Sequence, residues 1–183
     1  EQGEAAFRPL KTFGPPAMDM IAPMPYATLN GMLDGAFPKG ALNYWKAQFA
    51  TEHSDAAIRA AVAAFEHCPS PMSHVIIEHF HGAAARVPLA ATACTTRVSG
   101  FNVVIVSQWT DVGESDRNIR WARETFASLT TFFAATRYLN YLEVDAANAA
   151  EVAYGPNLQR LRAIKAEYDP GNFFRHNVNI FPK

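Results

Sequence analysis

Apolar positions along the chain follow two rhythms, one of three to four residues and one of two. Ala57, Ala61, Ala64 and Phe65 recur at helical steps beside Ile58 and Val62, which predicts a helix that Ser54 caps and that stops before Pro69. Ile119, Ala122, Phe126, Leu129 and Phe133 predict a second helix over Asp116–Ala135. Leu158, Leu161, Ile164 and Tyr168 predict an inward stripe on a third, capped by Asn157 and bordered by Arg162 and Lys165. Leu29, Met32, Leu33 and Phe37 suggest helix over Tyr26–Phe37, and Ala146–Tyr154 reads as a short helix broken by Gly155-Pro156. Strand character marks Asn43–Phe49, Ser73–Phe80, Phe101–Trp109 and Tyr138–Val144, with Met18–Pro25 as a proline-limited edge strand. Residues 1–16 read as an entry loop or linker, Gly82–Gly100 as a long connection, and Asp169-Pro170-Gly171-Asn172 as a turn before an extended finish. Two long strands separated by a loop alone imply an α+β fold, a mainly antiparallel sheet with helices packed on one face.

Composition narrows the function classes. The chain has 183 residues, 49% of them hydrophobic, and a formal net charge of −1. That length suits one compact domain, and the balanced charge gives no electrostatic footprint for nucleic acid. No apolar run approaches the roughly 20 residues that span a bilayer. Cys68 and Cys94 cannot form a disulfide framework, and no N-x-[ST] sequon occurs. These features point to the cytoplasm, although the Glu1-Gln2-Gly3-Glu4 start also suits a processed secreted product or a fragment of a longer chain.

The densest polar cluster is His74-Val-Ile-Ile-Glu78-His79-Phe80-His81. On a strand, His74 and Glu78 face one way and His79 and His81 the other, so the spacing does not assemble metal ligands, and no metal is expected. Neither cysteine lies in a strand–turn–helix elbow. The sequence contains no G-x-G-x-x-G and no G-x-x-x-x-G-K, hence no phosphate cradle of its own. Tyr138-Leu139-Asn140-Tyr141 places an asparagine between tyrosines, and a tyrosine serves as a base only where its surroundings lower a pKa near 10.

The C-terminal residues carry more information. Tyr154-Gly155-Pro156-Asn157-Leu158-Gln159-Arg160-Leu161, then Lys165-Ala166-Glu167-Tyr168-Asp169-Pro170-Gly171-Asn172-Phe173-Phe174-Arg175 and Asn177-Val178-Asn179-Ile180, resemble the closing signature of berberine bridge enzyme-like FAD-linked oxidases, of the vanillyl-alcohol-oxidase type. Tyr138-Leu139-Asn140-Tyr141 resembles that family's Y-x-N-Y strand, and Gln108-Trp109 followed by Asp116–Trp121 its next helix entry. Phe13-Gly14-Pro15-Pro16, Pro23-Met24-Pro25-Tyr26 and Asn43-Tyr44-Trp45-Lys46 are similar to segments opening its substrate domain.

The resemblance implies that residues 1–150 are a substrate domain and 151–183 a C-terminal segment that packs on a flavin-binding domain. That N-terminal domain, with its Gly-rich loop, is missing from this sequence. Implied too are FAD as cofactor of the parent protein, a small polar organic substrate such as an alcohol or sugar, and molecular oxygen as a possible acceptor. By position, Tyr141 is the catalytic base, while Tyr138, Asn140, Asn177 and Asn179 lie at the flavin or brace the C-terminal segment. Asn102 falls where some plant relatives carry a catalytic glutamate, and His79 and His81 are expected to line the same substrate cavity. The chain alone is expected to be inactive, to hold FAD weakly, and to self-associate through apolar surface the flavin domain would cover. The alternative class is a flavin-free binding or structural module that retains the fold.

Overall fold

The computed structural model describes residues 2–135, 137–142 and 148–182. The chain divides into two compact units, Glu1–Pro38 and Lys39–Lys183.

The first unit holds helix α1 (Gln2–Thr12), helix α2 (Tyr26–Asn30) and a 3₁₀ turn at Asp34–Ala36. Residues 2–12 are therefore helical where a loop was expected. Pro9 sits inside α1, and Thr12 Oγ1 donates to Arg8 O at 3.0 Å. The edge strand expected at Met18–Pro25 does not form, because nothing in this unit offers it a ladder partner. Lys11 and Asp19 pair at 2.9 Å instead.

The second unit is built on a three-stranded antiparallel sheet in the order β1-β3-β2, with β1 at Leu42–Ala50, β2 at His74–Phe80 and β3 at Gly100–Trp109. Its register places Phe49 opposite Asn102 on one side and Glu78 opposite Asn102 on the other. Ser73 ties the start of β2 to the end of β3: its Oγ accepts from Gln108 N at 2.9 Å and donates to Gln108 O at 3.2 Å. Gly100 opens β3 where only glycine fits, since a Cβ would lie 2.5 Å from the Phe49 ring and 2.6 Å from Ala50 O.

Side-chain alternation gives β3 two buried faces. Val103 and Ile105 point toward helices α3 (Asp55–Glu66) and α5 (Ser115–Leu129), where they pack with Ala50, Trp121, Ala122 and Leu129. Ser54 caps α3 by accepting from Ala57 N at 3.2 Å, and Trp121 Nε1 joins the helices by donating to Ala64 O at 3.0 Å. The buried stripe of α5 is rotated from its predicted position, with Asn118, Trp121, Ala122, Thr125 and Leu129 facing inward. The opposite face of the sheet carries Asn43, Trp45, Ala47 and Phe49, then Asn102, Val104, Val106 and Gln108, and Ile76, Glu78 and Phe80.

The connection after β2 contains α4 (Ala83–Arg86) and a 3₁₀ turn at Leu89–Ala91. The C-terminal helices α6 (Ala149–Tyr154) and α7 (Leu158–Tyr168) hold this connection. Asn157 does not cap α7; its Nδ2 donates to Leu89 O at 2.9 Å and Thr92 O at 3.1 Å, and Thr95 Oγ1 donates to Ala153 O at 2.7 Å. Leu158 of the predicted stripe is buried, but Ile164 is 42% and Tyr168 77% exposed. Lys165 turns inward because Asp169 and Phe174 O engage it, and Asp169 also accepts from the N–H groups of Phe173 and Phe174.

Candidate functional site

The strand expected at Tyr138–Val144 is instead a 3₁₀ turn at Leu139–Tyr141, and residues 143–147 lie outside the described part. An asparagine between two tyrosines suits a turn better than a ladder. This turn meets β1 and sets Tyr138 and Tyr141 over the sheet face opposite the helices.

Glu78 stands at the centre of what results. Its Oε1 accepts from the Tyr141 hydroxyl at 3.0 Å, and its Oε2 accepts from Asn102 Nδ2 at 2.7 Å. The second bond fixes which way the Asn102 amide points, because a flipped oxygen would face a carboxylate. Asn102 is fully buried, and its Oδ1 has no partner. Among the described residues Glu78 pairs with no cation. Burial and the adjacent carboxylate, then Tyr138, push the Tyr141 phenol up to about 12, so it keeps its proton at neutral pH.

Aromatic rings continue around this centre. Trp45 lies 6.0 Å from Tyr141, Tyr141 5.5 Å from Tyr138, Tyr138 5.4 Å from Phe80, and Phe80 5.9 Å from Phe49. Asn140 is exposed and donates from Nδ2 to Tyr138 Oη at 2.8 Å.

Two expected pocket residues lie elsewhere. His79 is paired with Phe101 across the ladder, so it projects from the helix-side face, away from Asn102 and Tyr141. Its ring stacks on Phe101 at 4.6 Å and on His81 at 4.2 Å, and His53 caps Phe101 at 4.2 Å. Burial lowers the His53 pKa, and its Nε2 has no partner. No group of three or more His, Cys, Asp or Glu suited to a metal occurs among the described residues. Asn177 is exposed with a left-handed φ of 60°, and Asn179 is partly buried with an unpartnered Oδ1. Neither is hydrogen-bonded to the Tyr138–Tyr141 turn among the described contacts.

A cavity of about 420 Å³ opens between α3 and the edge strand β2. Its walls are mainly apolar, with Phe65, Ile77 and Phe133 among them, and the Glu78 cluster takes no part in it.

Comparison with known proteins follows the same division. Residues 137–181, which include the Tyr138–Tyr141 turn, match the family described as berberine and berberine like. The C-terminal part of the chain is thus similar to this family. An uncharacterized FAD-linked oxidoreductase of Bacillus subtilis, YgaK, is 33% identical over 129 residues, covering 70% of this chain and 28% of the relative. An FAD-linked oxidoreductase of Dictyostelium discoideum is 25% identical over 185 residues, covering 100% of this chain and 40% of the relative. Among solved structures, CrmK, a flavoenzyme of caerulomycin biosynthesis, superposes with a TM-score of 0.71 at 24% identity, over 87% of this chain and 37% of its own. The chain thus spans well under half the length of these relatives, and FAD is the cofactor of the relatives it resembles.

The edge of a flavin ring presents carbonyl oxygens and one ring N–H. The unpartnered Asn179 Oδ1 is an acceptor suited to the N–H, and the Asn140 amide and Tyr138 hydroxyl are donors suited to the carbonyls. These uncharged groups fit the ring, whereas the sequence offers no Gly-rich loop for the pyrophosphate. No helix among the described residues is long and apolar enough to cross a membrane.

Proposed function

We propose that this region is the substrate side of an FAD-dependent oxidoreductase that oxidises an alcohol, sugar or related polar metabolite. On this reading residues 1–150 bind substrate, and residues 151–183 pack on a flavin-binding domain that carries the phosphates. Bound flavin would supply the hydride acceptor at N5, with molecular oxygen as the final oxidant. Tyr138, Asn140, Asn177 and Asn179 are the residues proposed to hold or brace the ring.

The observation that carries the reading is the Tyr141–Glu78–Asn102 chain of hydrogen bonds. A phenol held near 12 cannot take a proton as a free phenolate at neutral pH. It can pass its own proton to Glu78 as it accepts one from a substrate hydroxyl, so the pair acts as one base. The phenol's oxygen is the contact with substrate, and the carboxylate is the reservoir. Asn102 holds the second carboxylate oxygen and keeps the first aimed at Tyr141.

The test uses the full-length parent, loaded with flavin and mixed anaerobically with substrate. Tyr141→Phe and Glu78→Gln should each slow flavin bleaching by about 10²–10⁴-fold, the usual loss of a positioned base. His79→Ala, on the other face, should leave bleaching unchanged. Parent-like rates in both site variants would overturn the assignment.

A further inference from the structure

The Glu78 site has an unusual balance of charge and hydrogen-bonding capacity. Its carboxylate is partly buried and is held by two neutral donors, Tyr141 and Asn102. No described residue supplies a positive charge to it. The Tyr141 hydroxyl proton and one Asn102 amide proton both point at Glu78. What is left over there for a ligand is acceptor capacity, in the remaining Glu78 and Tyr141 lone pairs. Around it run the rings of Trp45, Tyr141, Tyr138 and Phe80, each within about 6 Å of the next. Aromatic faces beside an uncompensated carboxylate attract a cation, and an ammonium group is donor-only, the complement of an acceptor-rich wall.

We infer that the site takes a substrate bearing a protonated amine, such as an amino alcohol or amino sugar, with Glu78 as its counter-ion. The inference rests on the functional reading above and narrows it to the cationic members of that polar class. A carboxylate-bearing substrate is excluded, because it would meet Glu78 with like charge at short range.

Three probes of one shape and different charge decide the matter on the 183-residue chain itself. Benzylamine, benzyl alcohol and benzoate would be titrated at neutral pH while the Trp45 indole N–H signal is followed by NMR. Benzylamine, as its cation, should bind about tenfold tighter than the alcohol, and benzoate should not bind. Glu78→Gln should bring cation and alcohol to equal affinity, its amide spectrum confirming the fold. Equal affinity in the parent chain, a preference that survives Glu78→Gln, or no shift with any probe up to about 10 mM would overturn the inference. These readouts need no flavin, so they fail or succeed separately from the flavin-bleaching test.

Discussion

The Tyr141 hydroxyl donates to Glu78 Oε1 across 63 residues of sequence, at 3.0 Å, from a 3₁₀ turn onto an edge strand. Geometry and burial converge on this one contact. The same carboxylate that accepts from the phenol also opposes its ionisation, so the pair shares a proton and does not bear two charges.

That coupling predicts a titration signature. Phenolate absorbance followed to high pH should show a component near pH 12 that Tyr141→Phe removes and Glu78→Gln shifts downward. The sign for stability follows. The folded-state value lies above the unfolded value near 10, so this group's contribution is fully present below pH 10 and is lost as pH rises toward 12. Denaturation midpoints of the parent chain should therefore fall across that window more steeply than those of Tyr141→Phe.

A second expectation concerns the seam between the C-terminal segment and the connection after β2. Asn157→Ala leaves the Leu89 and Thr92 carbonyls without their donor at a nearly buried position. Urea unfolding should show a loss of about 1–3 kcal/mol. Asn157→Asp should not rescue it, because a carboxylate cannot donate to either carbonyl.

Gly100→Ala tests how tightly β1 and β3 meet. Its methyl would enter the Phe49 ring and the Ala50 carbonyl, so a loss of about 1–3 kcal/mol or more is expected in thermal or urea unfolding. Gly171→Ala is the matched control, with open space at its Cβ and an expected effect near zero.

Ser54→Ala removes the side-chain acceptor for Ala57 N, at an expected cost of about 1 kcal/mol. Ser54→Asp should restore most of it. Far-UV circular dichroism through a urea titration checks both.

Local signals were the legible ones. Ser54 ahead of an apolar stripe announced a capped helix, and strand alternation already set Glu78 apart from His79 and His81. Where local rhythm competed with distant partners, the partners won. Tyr168 and Ile164 fit a helical stripe, yet Asp169 and Phe174 draw Lys165 inward and leave those two exposed. Asn157 sits where a cap belongs, but two carbonyls from another segment claim its amide. Glu78 was missed as a site residue because its role depends on ladder register. Only the pairing that sets it opposite Asn102, with a turn from far along the chain above it, makes it a partner for Tyr141. His79 and His81 were placed in the pocket by resemblance, against the alternation that separates them from it.

The strand order has a consequence for how the chain comes to be folded. The central strand is the last of the three to be synthesised, and neither earlier strand pairs with the other. On a ribosome, Phe49 and Glu78 both emerge well before Asn102, the one residue that faces them both. A nascent chain that stops short of Gly100 therefore has two apolar ribbons and no ladder. Its sheet forms in one late event as β3 emerges, which makes folding slow and leaves the unfinished chain dependent on protection from aggregation until then.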